Sequence, residues 1–120
     1  RSMSKRALIV EDDRDLGGVL MELLEILDYE SEWTESVKES LHLLQSADLF
    51  DVLVVDHGLG DGTGVDLINW CKERVVFKGL RFILISGYDQ SHFAPSVMTD
   101  PRISFLQKPF TMVQLKETLG

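Results

Sequence analysis

The scarce features of this chain narrow its chemistry first. It holds a single cysteine, Cys71, so no disulfide can form within it, and a reducing cytoplasm is the compartment such usage suggests. Cys71 itself reads as a small buried hydrophobe on a helix. Basic residues are outnumbered: 12 Lys and Arg stand against 20 Asp and Glu, a formal net charge of −8. That balance argues against contact with nucleic acid, whose phosphates require Lys and Arg. It argues equally against an anionic membrane surface. It leaves a divalent cation open as a ligand. No apolar run approaches the ~20 residues that span a bilayer. No signal peptide, internal repeat or low-complexity tract is visible.

The residues that are present suit one domain. The chain has 120 residues, 44% hydrophobic and 27% charged, a composition that can bury a core unaided. Residues 1–4 read as a tag remnant or disordered start within a domain spanning 1–120.

Four short apolar runs stand out: Ala7-Leu8-Ile9-Val10, Val52-Leu53-Val54-Val55, Phe82-Ile83-Leu84-Ile85 and Ile103-Ser104-Phe105-Leu106. The first three are unbroken and rich in β-branched residues, the pattern of strands buried on both faces of a parallel sheet. A weaker strand is expected at Ser31-Glu32-Trp33, near an edge. Leu16, Val19, Leu20, Leu23, Leu24 and Leu27 form one helical stripe, weakened near its start by Gly17 and Gly18. Val37, Leu41 and Leu44 mark a second helix, capped by Thr34 or Ser36. Val65, Ile68, Cys71 and Val75 mark a third. Met112, Leu115 and Leu119 mark a last one, capped by Thr111. Between Gly87 and Asp100 a helix is also expected, but Pro95 would kink or shorten it. Strands alternating with helices predict an α/β fold: a single doubly wound, flavodoxin-like, five-stranded parallel sheet with helices on both faces.

In such a sheet, ligands gather where the strands end. Glu11-Asp12-Asp13 follow the first run, Asp56 the second, Ser86 the third and Lys108-Pro109 the fourth. Two carboxylates ~4 Å apart repel by about 4 kcal/mol at an effective dielectric of ~20. Three on one rim therefore need positive charge, which Lys108 and a hard, oxygen-liganded dication such as magnesium would supply. Asp56 can attack phosphorus and hold an acyl phosphate. Lys108 and the metal can hold the equatorial oxygens during in-line transfer, and Ser86 can donate a hydrogen bond to one of them.

At this point the residues resemble the receiver family of two-component response regulators. The matching pieces are Ile9-Val10-Glu11-Asp12-Asp13, then Asp51 to Asp56 with Leu59-Gly60-Asp61-Gly62-Thr63-Gly64, then Ile85-Ser86-Gly87 and Phe105-Leu106-Gln107-Lys108-Pro109-Phe110. The resemblance runs from Arg6 to Leu119. It implies a phosphoacceptor at Asp56 and phosphoryl contacts from Ser86 and Lys108. It implies a Mg2+ or Mn2+ site made by Asp12, Asp56, the backbone carbonyl of Gly58, and Glu11 through water. Phe105 takes the place of the family's switch aromatic, moving inward with Ser86. The implied partner is a histidine kinase or histidine phosphotransfer domain, with homodimerisation through the face of the fourth helix, fifth strand and last helix. The chain would be a signalling phosphoacceptor and not an enzyme. The Ser-Gly-Tyr and Phe-Leu-Gln-Lys-Pro-Phe wording is similar to receivers of hybrid sensor histidine kinases. Positions two beyond the phosphoacceptor and the hydroxyl, here Gly58 and Tyr88, flank the path of attacking water in the family, so Tyr88 is expected to shield the acyl phosphate.

There are departures. Gly60 stands where the family usually has proline, and Gly87 follows the hydroxyl. Pro95 interrupts the fourth helix, Asp100-Pro101 replaces a small-residue turn, and Phe105 lacks a tyrosine hydroxyl. Three other readings compete. A pseudo-receiver would dock partners without phosphorylation. A haloacid-dehalogenase-like phosphatase would need an acid two residues after its aspartyl nucleophile, where Gly58 stands. A flavodoxin-like cofactor binder would set its phosphate against Glu11, Asp12 and Asp13. Asp13 reads as a helix cap rather than a ligand, His57 as non-catalytic, and His42 and His92 as surface residues.

Overall fold

A computed structural model describes residues 5–46 and 49–120. The reading of residues 1–4 lies outside them. The chain alternates strand and helix: β1 (Lys5–Val10), α1 (Arg14–Ile26), β2 (Tyr29–Thr34), α2 (Val37–Leu44), β3 (Val52–Asp56), the two-residue strands β4 (Gly58–Leu59) and β5 (Gly62–Thr63), α3 (Gly64–Lys72), β6 (Arg81–Ser86), α4 (Pro95–Met98), β7 (Ile103–Gln107) and α5 (Met112–Leu119). Single 3-10 turns fall at Val75–Phe77 and Gln90–His92.

Five strands form one parallel sheet in the order β2-β1-β3-β6-β7. The order explains the apolar runs. β1, β3 and β6 lie inside the sheet and are covered on both faces, so successive residues alternate between two cores. Leu8, Val10, Leu53, Val55, Phe82 and Leu84 face one core, with Leu67, Ile68 and Cys71 of α3 and Leu44 of α2. Ala7, Ile9, Val52, Val54, Ile83 and Ile85 face the other, with Leu20 and Leu24 of α1 and Leu115 and Leu119 of α5. The weaker strand is indeed at an edge, and it is longer than its three-residue signal because its pairing to β1 runs the full length from Lys5–Tyr29 to Val10–Thr34.

Capping sets the helix starts. Asp13 accepts from the N–H groups of Asp15 and Leu16, Ser36 from Glu39, Thr63 from Asp66, and Thr111 forms a reciprocal capping box with Gln114. Each such cap stabilises its helix by about 1 kcal/mol.

Three local expectations are corrected, and one pair of alternatives is resolved. Val19 is 48% exposed, so the α1 stripe narrows to residues that meet the sheet. α3 stops at Lys72, leaving Val75 in the following turn and 81% exposed. Met112 turns outward at the start of α5. The second-helix cap is Ser36, because Thr34 is still in β2 and its hydroxyl donates to the Ile9 carbonyl. Where proline was expected to shorten the fourth helix, α4 is one four-residue turn with Pro95 at its first position, where its missing N–H costs nothing. Among the described residues no helix is long and apolar enough to cross a membrane.

Candidate functional site

β1 ends at Val10, so the next residue leaves the sheet between β2 and β3. That residue, Glu11, is 1% exposed despite its charge. Its N–H donates to the Thr34 carbonyl of β2 at 3.0 Å, and its Oε2 accepts from the Asp13 N–H at 3.1 Å. Its Oε1 is buried without a hydrogen-bond partner. Asp12 is exposed at the mouth, and Asp13 is taken up in capping α1.

Asp56 closes β3 and is also buried. Lys108, just past β7, sends its Nζ to 3.1 Å from Asp56 Oδ1 and 3.6 Å from Glu11 Oε1. Glu11, Asp12 and Asp56 each bring a carboxylate oxygen within 4.8 Å of the others. The one ammonium group at this rim thus pairs with two of the three carboxylates, Asp56 and Glu11.

The protonation equilibria register this imbalance. Burial pushes the Glu11 carboxyl up to about 7, aided by the charges of Asp56 and Asp12 and opposed by the Asp13 N–H and Lys108. Burial acts to lower the Lys108 pKa, but its hydrogen bond to Asp56 and the charges of Asp56 and Glu11 outweigh it, so the net shift is upward. The donor set fits a hard dication: all oxygen, mutually close, with one buried oxygen lacking a hydrogen bond and a local excess of negative charge.

Ser86 ends β6, beside β3, and is 2% exposed. Its Oγ accepts from the Tyr88 N–H at 2.9 Å, and its carbonyl accepts from the Lys108 N–H at 2.8 Å. Asp56, Ser86 and Lys108 thus leave three adjacent strands at one rim. The Lys108–Pro109 peptide is cis. Gly58 opens the small hairpin two residues after Asp56 and is exposed. Phe105 is half-buried on β7 opposite Leu84, its ring 5.6 Å from that of Phe93.

Two residues of the matched motif, Asp61 and Gly64, have anchoring roles that the sequence pattern does not reveal. Asp61, at the tip of the hairpin, accepts from the N–H groups of Val37 and Lys38 at 2.9 and 3.0 Å, fixing the loop that carries Gly58 onto the start of α2. These backbone bonds hold its carboxyl below the usual carboxylate range. Gly64 begins α3 where a Cβ would fall 2.8 Å from the Asp56 carbonyl oxygen. Its place after the Asp-Gly-Thr turn was visible, but not the backbone it must clear.

The His57 ring meets Phe93 edge-on at 4.8 Å and His92 at 5.9 Å. Burial and the neighbouring His92 lower its pKa. His92 stacks flat on Tyr88 with ring centroids 3.9 Å apart. It is a surface residue as expected, but one with a partner.

Residues 7–120 match the family model described as "Response regulator receiver domain". Over 119 residues the chain is 30% identical to Hybrid signal transduction histidine kinase A of Dictyostelium discoideum, covering 97% of this chain and 6% of that protein. It is 28% identical over 116 residues to Response regulator protein PilR of Pseudomonas aeruginosa, covering 97% of this chain and 25% of that one. The chain therefore spans only a minor part of these relatives. A receiver domain from Methylobacillus flagellatus superposes with a TM-score of 0.84 at 26% identity, over 97% of this chain and 96% of that one. A sensor protein from a Polaromonas species gives 0.83 at 26% identity, over 96% and 92%.

Proposed function

The chain belongs to the response regulator receiver domain family, and from that premise we propose that Asp56 accepts a phosphoryl group in a divalent-metal-dependent reaction that changes the affinity of the domain for a partner. The observation that carries this reading is the Lys108 ammonium 3.1 Å from Asp56 and 3.6 Å from Glu11, beside the carboxylate cluster that Asp12 completes.

Asp12, Asp56 and the Gly58 carbonyl would hold Mg2+ or Mn2+ directly, and Glu11 would hold it through water. The bound ion would, together with Lys108, neutralise the trio, and it would polarise the phosphoryl oxygens. An Asp56 oxygen attacks phosphorus while the bond from phosphorus to the donor imidazole breaks, and the electron pair of that bond returns to the imidazole nitrogen. Lys108 neutralises charge on the transferring group. The Ser86 hydroxyl then donates to a phosphoryl oxygen and no longer accepts from Tyr88. Phe105 moves inward with it, and the population of conformers shifts at the face of α4, β7 and α5.

The donor is a phosphohistidine on a histidine kinase or phosphotransfer domain. The domain works as a signalling module that assists its own phosphorylation. Relatives of both kinds, hybrid kinases and response regulators, are compatible with this role. A purely docking pseudo-receiver is disfavoured because every required side chain stands at the rim. An aspartyl phosphatase is disfavoured because Gly58 has no acid to give a leaving group.

Intact mass spectrometry after incubation with acetyl phosphate and Mg2+ tests the proposal. The wild type gains one phosphoryl group, and neither the Asp56→Asn variant nor the wild type in chelator does. An unmodified wild type, or an Asp56→Asn variant modified equally, overturns it.

A further inference from the structure

The carboxylate turn is braced from outside the rim. Trp33 is the penultimate residue of edge strand β2, and its indole Nε1–H donates to the Glu11 carbonyl at 2.9 Å. The Glu11 N–H is already held by Thr34, the next residue of the same strand. β2 therefore grips both backbone polar groups of a residue that lies beyond the end of its neighbour β1. Glu11 Oε2 is tied in turn by the Asp13 N–H, and Asp13 is tied to α1 as its cap.

The ring reaches this position through a gap in α1. A Cβ at Gly17 would fall 2.2 Å from both Cε2 and Cζ2 of Trp33, and 2.7 Å from Nε1. No side chain larger than hydrogen fits there while the indole keeps its hydrogen bond. Glycine inside a helix costs about 1 kcal/mol relative to alanine. Here it admits the indole, and the two residues form one device.

That device acts on the Glu11–Asp12 peptide. The peptide unit is planar, so a hydrogen bond on the Glu11 carbonyl sets the plane from which the Asp12 Cα departs. Given the metal-dependent reading above, on which this inference rests, we propose that Trp33 is a positioning residue for the cation site. It orients the Glu11–Asp12 peptide so that Asp12 meets Glu11 and Asp56 before the ion arrives. Residues that orient metal ligands in this way commonly change metal affinity by 10–100-fold when removed. One hydrogen bond to a carbonyl belongs at the lower end of that range.

The test uses Mn2+ as the probe and follows its free electron paramagnetic resonance signal during titration of the whole chain. Wild type, Asp12→Asn, Trp33→Phe, and a variant with 3-benzothienylalanine at position 33 are compared, each shown folded by circular dichroism. The benzothienyl ring keeps the indole shape and replaces only the N–H by sulfur, so it isolates the hydrogen bond if phenylalanine disturbs the packing. The expected result is saturable Mn2+ binding by the wild type, its loss in Asp12→Asn, and about tenfold weaker binding in both position-33 variants. Wild-type affinity in the benzothienyl variant overturns the role of Trp33 while the cation site stands. Failure of the wild type to bind Mn2+, or unchanged binding by Asp12→Asn, overturns the cation site itself and the inference with it.

Discussion

The two sides of the rim are built differently. On one side, the ends of β1 and β3 are tied by hydrogen bonds that each involve a backbone group. Glu11 is held by β2, Asp13 by α1, and the hairpin after Asp56 by α2 through Asp61. On the other side, the chain between Ser86 and β7 contains only a 3-10 turn and one turn of α4, gathered by the rings of Tyr88, His92, Phe93 and Phe105. Of residues 87–96 only Phe93 is buried, and segments with few buried apolar contacts and exposed backbone open at lower free energy. The difference assigns tasks. Chemistry needs charges fixed within fractions of an ångström. A response needs a segment with two accessible arrangements.

The largest effect is expected at the point where the two sides meet. Lys108→Met removes the ammonium that pairs with Asp56 and Glu11, and phosphotransfer from acetyl phosphate should slow about 10²–10³-fold, as when one charge-stabilising group is lost from an active site. The rate of appearance of the phosphorylated species by mass spectrometry measures it. A change below about threefold would mean that the fixed side manages its charge without Lys108.

The next effect tests the fixed side alone. Gly64→Ala places a methyl 2.8 Å from the Asp56 carbonyl, and backbone has little room to yield. Overpacking of this kind costs about 1–3 kcal/mol. A lowered urea midpoint at unchanged slope is expected. An unaltered midpoint would show that the end of β3 is softer than the contrast requires.

Asp100 tests where the second side is anchored, just before β7, by charge rather than by rings. Its carboxylate pairs with Lys72 and accepts from the Arg102 N–H at 2.8 Å, and the Lys72 hydrogen bond leads the influences that lower its pKa. Because the folded value lies below the unfolded one, the stabilisation is present above the unfolded pKa of about 3.9 and fades as pH falls through the folded value. Asp100→Asn should therefore lose about 1 kcal/mol at neutral pH, a modest figure because Lys72 is partly exposed. The gap between the two proteins in urea denaturation should close in acid. A gap that persists at pH 2 contradicts the assignment.

The smallest effect is expected at Tyr88. Tyr88→Ala removes the stack on His92 and opens the approach to the acyl phosphate, shortening the phosphoryl half-life two- to fivefold, under 1 kcal/mol of barrier. An equal or longer half-life would remove Tyr88 from the water path.

Much of this was legible in the primary structure because parallel strands buried on two faces leave unbroken apolar runs, and the residue after each run must fall at one rim. The convergence of Glu11 and Asp56 follows from that rule alone, while Lys108 stands one residue further, after Gln107. The positions of Gly58 and Phe105 as candidate ligand and switch came from the resemblance instead. Features made by long-range fit did not show. Gly17 looked like a weakness in α1 until the Trp33 ring occupied the gap, 16 residues on. Val19 and Val75 carried the right spacing but lay beyond the strip of helix that the sheet covers. Asp61 gave no sign in local pattern of its hold on α2, since a helix start some 24 residues earlier is invisible to periodicity.

The carbonyl of Ser86 is pinned by the amide of Lys108 at 2.8 Å. The main chain at this point cannot slide without breaking the link between neighbouring strands. What is left to the serine is rotation about its Cα–Cβ bond, which offers three staggered wells and little between them. If Asp56 is phosphorylated as proposed, the message that leaves it would be a torsional one: a rotor that clicks from one well to another, not a strand that is pulled.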